Sequence, residues 1–128
     1  MARQPKVCAH CGRQIEDRKM SDHDWDKLIY CSSRCRRSRG GRVHRELEET
    51  IVALLRRRAP SATICPSEAA RELFGEGFKN RMVETQNAAR RLAHRRVILI
   101  TQKGRPVDPG DIRGPVRLAR GPDFPSYP

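Results

Sequence analysis

Aromatic residues make up only 5% of this chain, with one Trp, two Tyr and three Phe, and its 15 Asp+Glu stand against 27 Lys+Arg. The first shortage leaves few large groups from which to build a core; the second leaves a formal net charge of +12. No apolar run approaches the roughly 18 residues of a membrane-spanning helix. Met1-Ala2-Arg3-Gln4-Pro5-Lys6 has no secretory pattern. The expectation is a soluble cytoplasmic protein without a membrane partner. The ingredients of catalysis are also missing. Gly40-Gly41 lacks the context of a phosphate loop, His44 and His94 lie among arginines, and surface solubility accounts for Glu84 and Asp108. An enzyme is not expected, and no small-molecule substrate is identified.

What the chain does have is four cysteines within its first 35 residues, Cys8 and Cys11 as C-x2-C and, nineteen residues on, Cys31 and Cys35 as C-x3-C. A segment this short buries too little to fold alone, so an ion held by four thiolates would supply the missing stability. Cys31 and Cys35, at i and i+4, share a face if a helix starts there. Two disulfides or free thiols are the alternative, opposed by the absent leader and the odd fifth cysteine, Cys65. One structural Zn2+ on Cys8, Cys11, Cys31 and Cys35 is expected, with His10 and His23 as exposed bystanders.

Arg34, Arg36, Arg37, Arg39, Arg42 and Arg45 follow in quick succession. Guanidinium forks match phosphate oxygens, and neutralising several phosphates releases counterions, which favours nucleic acid of any sequence. A solvated linker or a membrane-surface patch is the other reading; the run lacks the interleaved apolar residues of a membrane-lying helix.

Beyond Ser38-Arg39-Gly40-Gly41 the pattern turns helical. Leu47, Ile51, Leu54 and Leu55 predict a helix from about His44 to Arg58, with Glu46, Glu48 and Glu49 near its start and Arg56, Arg57 and Arg58 near its end complementing the dipole. A second helix runs Pro66 to Phe74, with Cys65 at its cap and Gly75 and Gly77 closing it. A third begins near Asn80 or Arg81, with Met82, Ala89, Leu92 and Ala93 inward and Gln86, Asn87, Arg90, Arg91, His94 and Arg95 outward. Val97 to Thr101 and Val116 to Arg120 then read as paired strands around a turn-rich loop carrying Lys103 and Arg105. Three helices and a hairpin is the winged-helix order, in which the third helix enters the major groove.

Lys6-Val7-Cys8-Ala9-His10-Cys11-Gly12-Arg13, Trp25-Asp26 and Tyr30-Cys31-Ser32-Ser33-Arg34-Cys35-Arg36-Arg37 resemble a small bacterial zinc-motif family, domain of unknown function 2256. The Tyr-Cys-Ser start also resembles treble-clef fingers, which implies that the second cysteine pair opens a helix. Thr63-Ile64-Cys65-Pro66-Ser67-Glu68, with Gln102-Lys103-Gly104-Arg105-Pro106-Val107-Asp108-Pro109, resembles a second family, domain of unknown function 3253, which implies a winged helix. Where the first family is expected to carry tryptophans, Asp17 and Ser21 flank Arg18-Lys19-Met20. This departure argues against an aromatic platform for bases and leaves Trp25 to pack over the metal.

The organisation read from the sequence is therefore a small zinc-finger module, treble-clef-like with four cysteine ligands, over 1–39 and a basic glycine-containing linker over 40–43. An α+β winged helix-turn-helix domain follows over 44–120, and a disordered proline-rich tail over 121–128. The expected function is zinc-supported nucleic-acid binding, DNA favoured over RNA, through Arg34, Arg36, Arg37, Arg39, Arg42, Gln86, Asn87, Arg90, Arg91, Arg95, Lys103 and Arg105. The alternative is an adaptor whose winged helix dimerises or docks on a protein partner, with purely structural zinc.

Overall fold

A computed structural model describes residues 4–38, 41–110 and 112–127 of a small α+β chain. Arg39, expected to contact nucleic acid, lies outside the described residues, as does Gly40 of the expected linker. At the front, β1 (Lys6–Val7) pairs antiparallel with β2 (Gln14–Ile15). Next come α1 (Asp22–Lys27), capped by Ser21, whose Oγ accepts from Asp24 N at 3.1 Å, and α2 (Ser33–Ser38). These elements enclose a small core of Cys8, Cys11, Ile15 and Trp25, with Met20, Leu28 and Tyr30 against it. Trp25, the single tryptophan of the chain, is thus committed to the cysteine cluster.

The larger core lies between α3 (Arg42–Arg56), α4 (Pro66–Phe74), α5 (Met82–His94) and a sheet. All four residues of the apolar stripe that marks α3 are buried, and they meet Ala69 of α4 and Ala88, Ala89 and Leu92 of α5. Alanines at the α4 and α5 faces permit close helix approach. The second helix keeps its expected bounds because its end signals agree: Pro66 occupies the first turn, Glu68 Oε2 accepts from Cys65 N at 2.7 Å, and Gly75 takes φ 64°. A 3-10 turn, Gly75–Arg81, bridges to α5.

The sheet has the order β4-β3-β5, with β3 Ile98–Gln102, β4 Arg105–Pro106 and β5 Arg117–Arg120. β3 and β5 pair as expected, Ile100 opposite Leu118, and Ile64 adds an antiparallel bridge to Leu118. The segment from Gln102 to Pro115, expected to be turn-rich loop throughout, contains β4. Lys103 and Gly104 take φ 52° and 79° and return the chain in a two-residue turn that places Gln102 opposite Arg105. A lysine in the left-handed region is a weak sequence signal, which is why composition does not announce this turn. Basic residues of β5 serve the fold: Arg120 Nη2 donates to Leu55 O and Arg58 O at 2.9 and 3.1 Å, filling acceptors at the end of α3.

Two boundary expectations are corrected. The first helix starts at Arg42, taking Arg42 and Val43 out of the expected 40–43 linker. The tail is not disordered through 127: Gly121 N donates to Val97 O at 2.9 Å, Phe124 is buried in the main core, and Tyr127 lies against the Arg56 and Arg95 guanidiniums. Proline content suggested disorder, but the two aromatics anchor the segment.

Glu48 joins the framework. Nine per cent exposed, its carboxylate accepts from Arg91 Nε and Arg95 Nη1, each at 2.9 Å, tying α3 to α5. Glu48→Ala leaves the part-buried Arg91 without its counter-charge and is expected to cost about 2 kcal/mol. Urea unfolding of the metal-loaded protein measures it; an unchanged midpoint contradicts this role.

Candidate metal centre and the basic surfaces around it

Cys8 and Cys11 sit on the turn between β1 and β2, a tight return in which Cys8 N donates to Arg13 O at 2.9 Å and Gly12 N to Cys8 O at 3.0 Å. Gly12 takes φ +75°. Cys31 precedes α2 and Cys35 lies within it, where Ser32 Oγ accepts from Cys35 N at 3.2 Å. The second cysteine pair thus straddles a helix start. Arg18 donates to Cys31 O and braces this pair from beyond β2.

The four Sγ atoms lie within 4.8 Å of one another, Cys11 to Cys31 at 3.7 Å and Cys31 to Cys35 at 3.5 Å. Four sulfurs about 2.3 Å from a tetrahedral ion stand about 3.8 Å apart, so the cluster has the dimensions of a metal cage. Neither His10 nor His23 belongs to it. His10, expected as an exposed bystander, is buried, its ring edge-on to His44 at 4.6 Å between centroids.

The thiols differ in how readily they ionise. Burial pushes Cys8 up, but the amides of Cys11, Cys31 and His10 together outweigh it and bring it from 9.0 down to about 7. Burial, reinforced by the neighbouring Cys8 and Cys31 thiols, pushes Cys11 up to about 12, and Cys35 is raised by burial and Cys31. Four sulfurs this close cannot all carry charge without a cation among them, so Cys8 is the natural point of entry for a metal ion. A proton and a metal compete for each sulfur; the sign therefore runs toward tighter metal binding as pH rises. Chelator competition is expected to show apparent affinity climbing between about pH 6 and 8, and stripping the ion should erase the helical signal of α1 and α2. A pH-independent affinity, or an unchanged spectrum on stripping, contradicts a four-thiolate structural site.

The cysteine module packs on α5. Arg91 Nη1 donates to His10 O at 2.6 Å, His94 Nε2 meets Gly12 O at 2.8 Å, and Gln14 N reaches Gly110 O at 3.4 Å. A Cβ on Gly12 would stand 2.3 Å from Arg90 Cβ. Gly12→Ala is therefore expected to cost more than about 1 kcal/mol through its left-handed φ alone, with the clash in addition. Thermal unfolding measures this; a neutral substitution means that the two surfaces do not meet.

This packing determines where the residues expected to contact nucleic acid lie. On the third helix, Asn87 and Arg90 are buried at 8% and 4% exposure, and Arg90 Nη1 donates to Asn87 Oδ1 at 3.0 Å. Arg91 is held by Glu48, His10 O and His44 O, and Arg95, half-exposed, by Glu48. The cysteine module lies against the face read as outward at Arg90 and Arg91, whereas Arg95 keeps about half its side chain exposed beside Glu48. Gln86 is half-buried beside a cavity. Arg34, Arg36 and Arg37 are exposed on α2. Arg42 is exposed at the start of α3 beside Glu46, and Lys103 and Arg105 are exposed at the hairpin tip.

Sequence reasoning overlooked Glu48 as an anchor and Arg13 as a cavity residue. Burial of Arg90 favours its neutral form, and the Arg13 charge adds to that push. The only available signal was the i, i+3, i+4, i+7 spacing of Asn87, Arg90, Arg91 and His94, which puts them on one face without saying what covers it.

The family model described as "Protein of unknown function (DUF3253)" matches residues 44–121, and the one described as "Uncharacterized protein conserved in bacteria (DUF2256)" matches residues 2–38. A search of the curated proteins gives no match.

Proposed function

The chain belongs to the DUF3253 family of proteins of unknown function and carries a DUF2256 segment in front of it, and on that premise we propose that it is a zinc-containing nucleic-acid-binding protein. The observation that carries this reading is the exposure of Arg34, Arg36 and Arg37 on α2, a helix that also supplies Cys35 to the metal cluster and has no acidic residue. Zinc is favoured over other ions because four thiolates close the coordination sphere in a C-x2-C and C-x3-C frame. The ion would set the course of α2, and with it the direction of the arginines.

The order of three helices followed by a hairpin, with Ile64 bridging to β5, supports a winged helix, and the cysteine pair at the start of α2 supports a treble-clef-like module. DNA is favoured over RNA on that architecture. The contact differs from the usual one for such a helix, since the face of α5 that carries Asn87, Arg90 and Arg91 is covered. Arg34, Arg36, Arg37 and Arg42 would grip phosphates, with Lys103 and Arg105 of the hairpin as a second foothold. Binding of this kind depends strongly on salt and weakly on sequence.

An adaptor role is the second reading, and Val83, 70% exposed on α5, is the feature that favours it. Single exposed apolar residues are common on monomers, so a dimer by light scattering that Val83→Ser abolishes is what this reading requires.

Fluorescence anisotropy on duplex DNA, single-stranded DNA and structured RNA across a salt series tests the main reading. Replacing Arg34, Arg36, Arg37 and Arg42 by Gln together is expected to flatten the log-affinity against log-salt slope by about 3 on duplex DNA. Absence of binding at low salt, or an unchanged slope, overturns it.

A further inference from the structure

A cavity of 380 Å³ lies where the cysteine module, α4, α5 and the loop after β4 meet, lined on its polar side by Arg13, Gln86 and Arg90. Its size falls within the range of about 300–1,000 Å³ common to small-molecule sites. The remaining wall is mostly apolar and includes Ala89, Ile100, Ile112 and Val116. No described residue lining it carries a carboxylate.

Arg90 makes this cavity unusual. It is only 4% exposed, yet its guanidinium donates to the neutral Asn87 Oδ1. Among the described residues no carboxylate forms an ion pair with it. A second cation, Arg13, faces the same space from the cysteine module. Burying a guanidinium is unfavourable, and bringing a second one beside it is more so. The charge of the cysteine cluster offsets part of this, since Cys11 acts on Arg90. It does not account for a cavity whose polar lining groups include two guanidinium donors and an amide.

We propose that this cavity binds the phosphate group of a small phosphate ester, held between Arg13 and Arg90, with the ester's apolar body against Ala89, Ile100 and Val116. A phosphate is favoured over a carboxylate because two guanidiniums from separate elements match a dianion with several acceptor oxygens. Gln86 supplies a further donor from α5. Inorganic phosphate alone would leave the apolar wall unused. The two arginines come from different modules and line one cavity only while the cysteine module is docked, so ester binding and docking favour each other. This site is separate from the α2 arginines and stands or falls independently of nucleic-acid binding.

Isothermal titration of the metal-loaded full chain with phenyl phosphate, inorganic phosphate and benzoate tests the proposal. Phenyl phosphate is expected to bind at least about tenfold tighter than either of the others, because each offers only one half of its chemistry. Arg13→Gln, at an exposed position, should weaken phenyl phosphate about tenfold with metal content unchanged, and Lys79→Gln, exposed on the 3-10 turn, should not. A 5′-phosphorylated against a 5′-hydroxyl trinucleotide separates the sources. Preference for the phosphorylated end assigns the pocket to strand termini, and equal binding, with phenyl phosphate retained, assigns it to free esters. Absence of saturable binding of phenyl phosphate, or equal affinity in Arg13→Gln, overturns the proposal and leaves Arg90 as a counter-charge to the cysteine centre.

Discussion

One guanidinium holds the molecule in register. Arg91 donates from Nε to Glu48 at 2.9 Å, from Nη1 to His10 O at 2.6 Å and from Nη2 to His44 O at 3.3 Å. These partners belong to α3 and to the cysteine turn, so a single planar fork fixes the angle between the helical core and the metal module. Lysine could not replace it, because a point charge has no fork to divide among three acceptors lying in different directions. Glu48 makes the arrangement tolerable by balancing the buried charge.

The constraint behind this arrangement is scarcity. With so few aromatics, neither core is large: one is built chiefly of aliphatic groups from three helices and a short sheet, the other of cysteines, Ile15 and Trp25. The smaller has too little apolar surface to stand by itself, and it gains stability in two ways. A metal ion would draw its four sulfurs together, and its Cys8–Gly12 turn rests on α5, where Gly12 allows backbone to approach Arg90 without an intervening side chain. The outward consequence is a division of the arginines. Arg91 of α5 is engaged in holding the modules together, Arg90 lines the cavity between them, and the arginines on α2 and at the start of α3 remain at the surface.

Much of this was legible residue by residue. The cysteine spacing gives the four-cysteine cluster, the stripe from Leu47 to Leu55 gives α3, and Pro66 with Glu68 and Gly75 gives α4 to its ends, because in each case local chemistry and tertiary packing agree. The failures share a different cause. Asn87, Arg90 and Arg91 are polar, and polar residues on a helix face read as solvent-facing unless something known covers them; here the cover comes from more than seventy positions earlier in the chain, with Arg91 and His10 separated by 81 residues. The short strand at Arg105–Pro106 depends on a left-handed Lys103, a conformation that a lysine rarely signals. Phe124 and Tyr127 escaped notice among prolines, though two aromatics in so aromatic-poor a chain were a signal that could have been weighed.

The docking of the cysteine module against α5 positions both cores, and cobalt substitution reads it most directly. High-spin Co2+ in the four-cysteine site broadens or shifts the amide signals of nuclei close to it in space, whatever their distance in sequence. The predicted result is a strong effect on the backbone around Asn87 to His94 as well as on residues of the cysteine module. An effect confined to residues 6–38, with α5 untouched, would contradict it and return the α5 arginines to solvent.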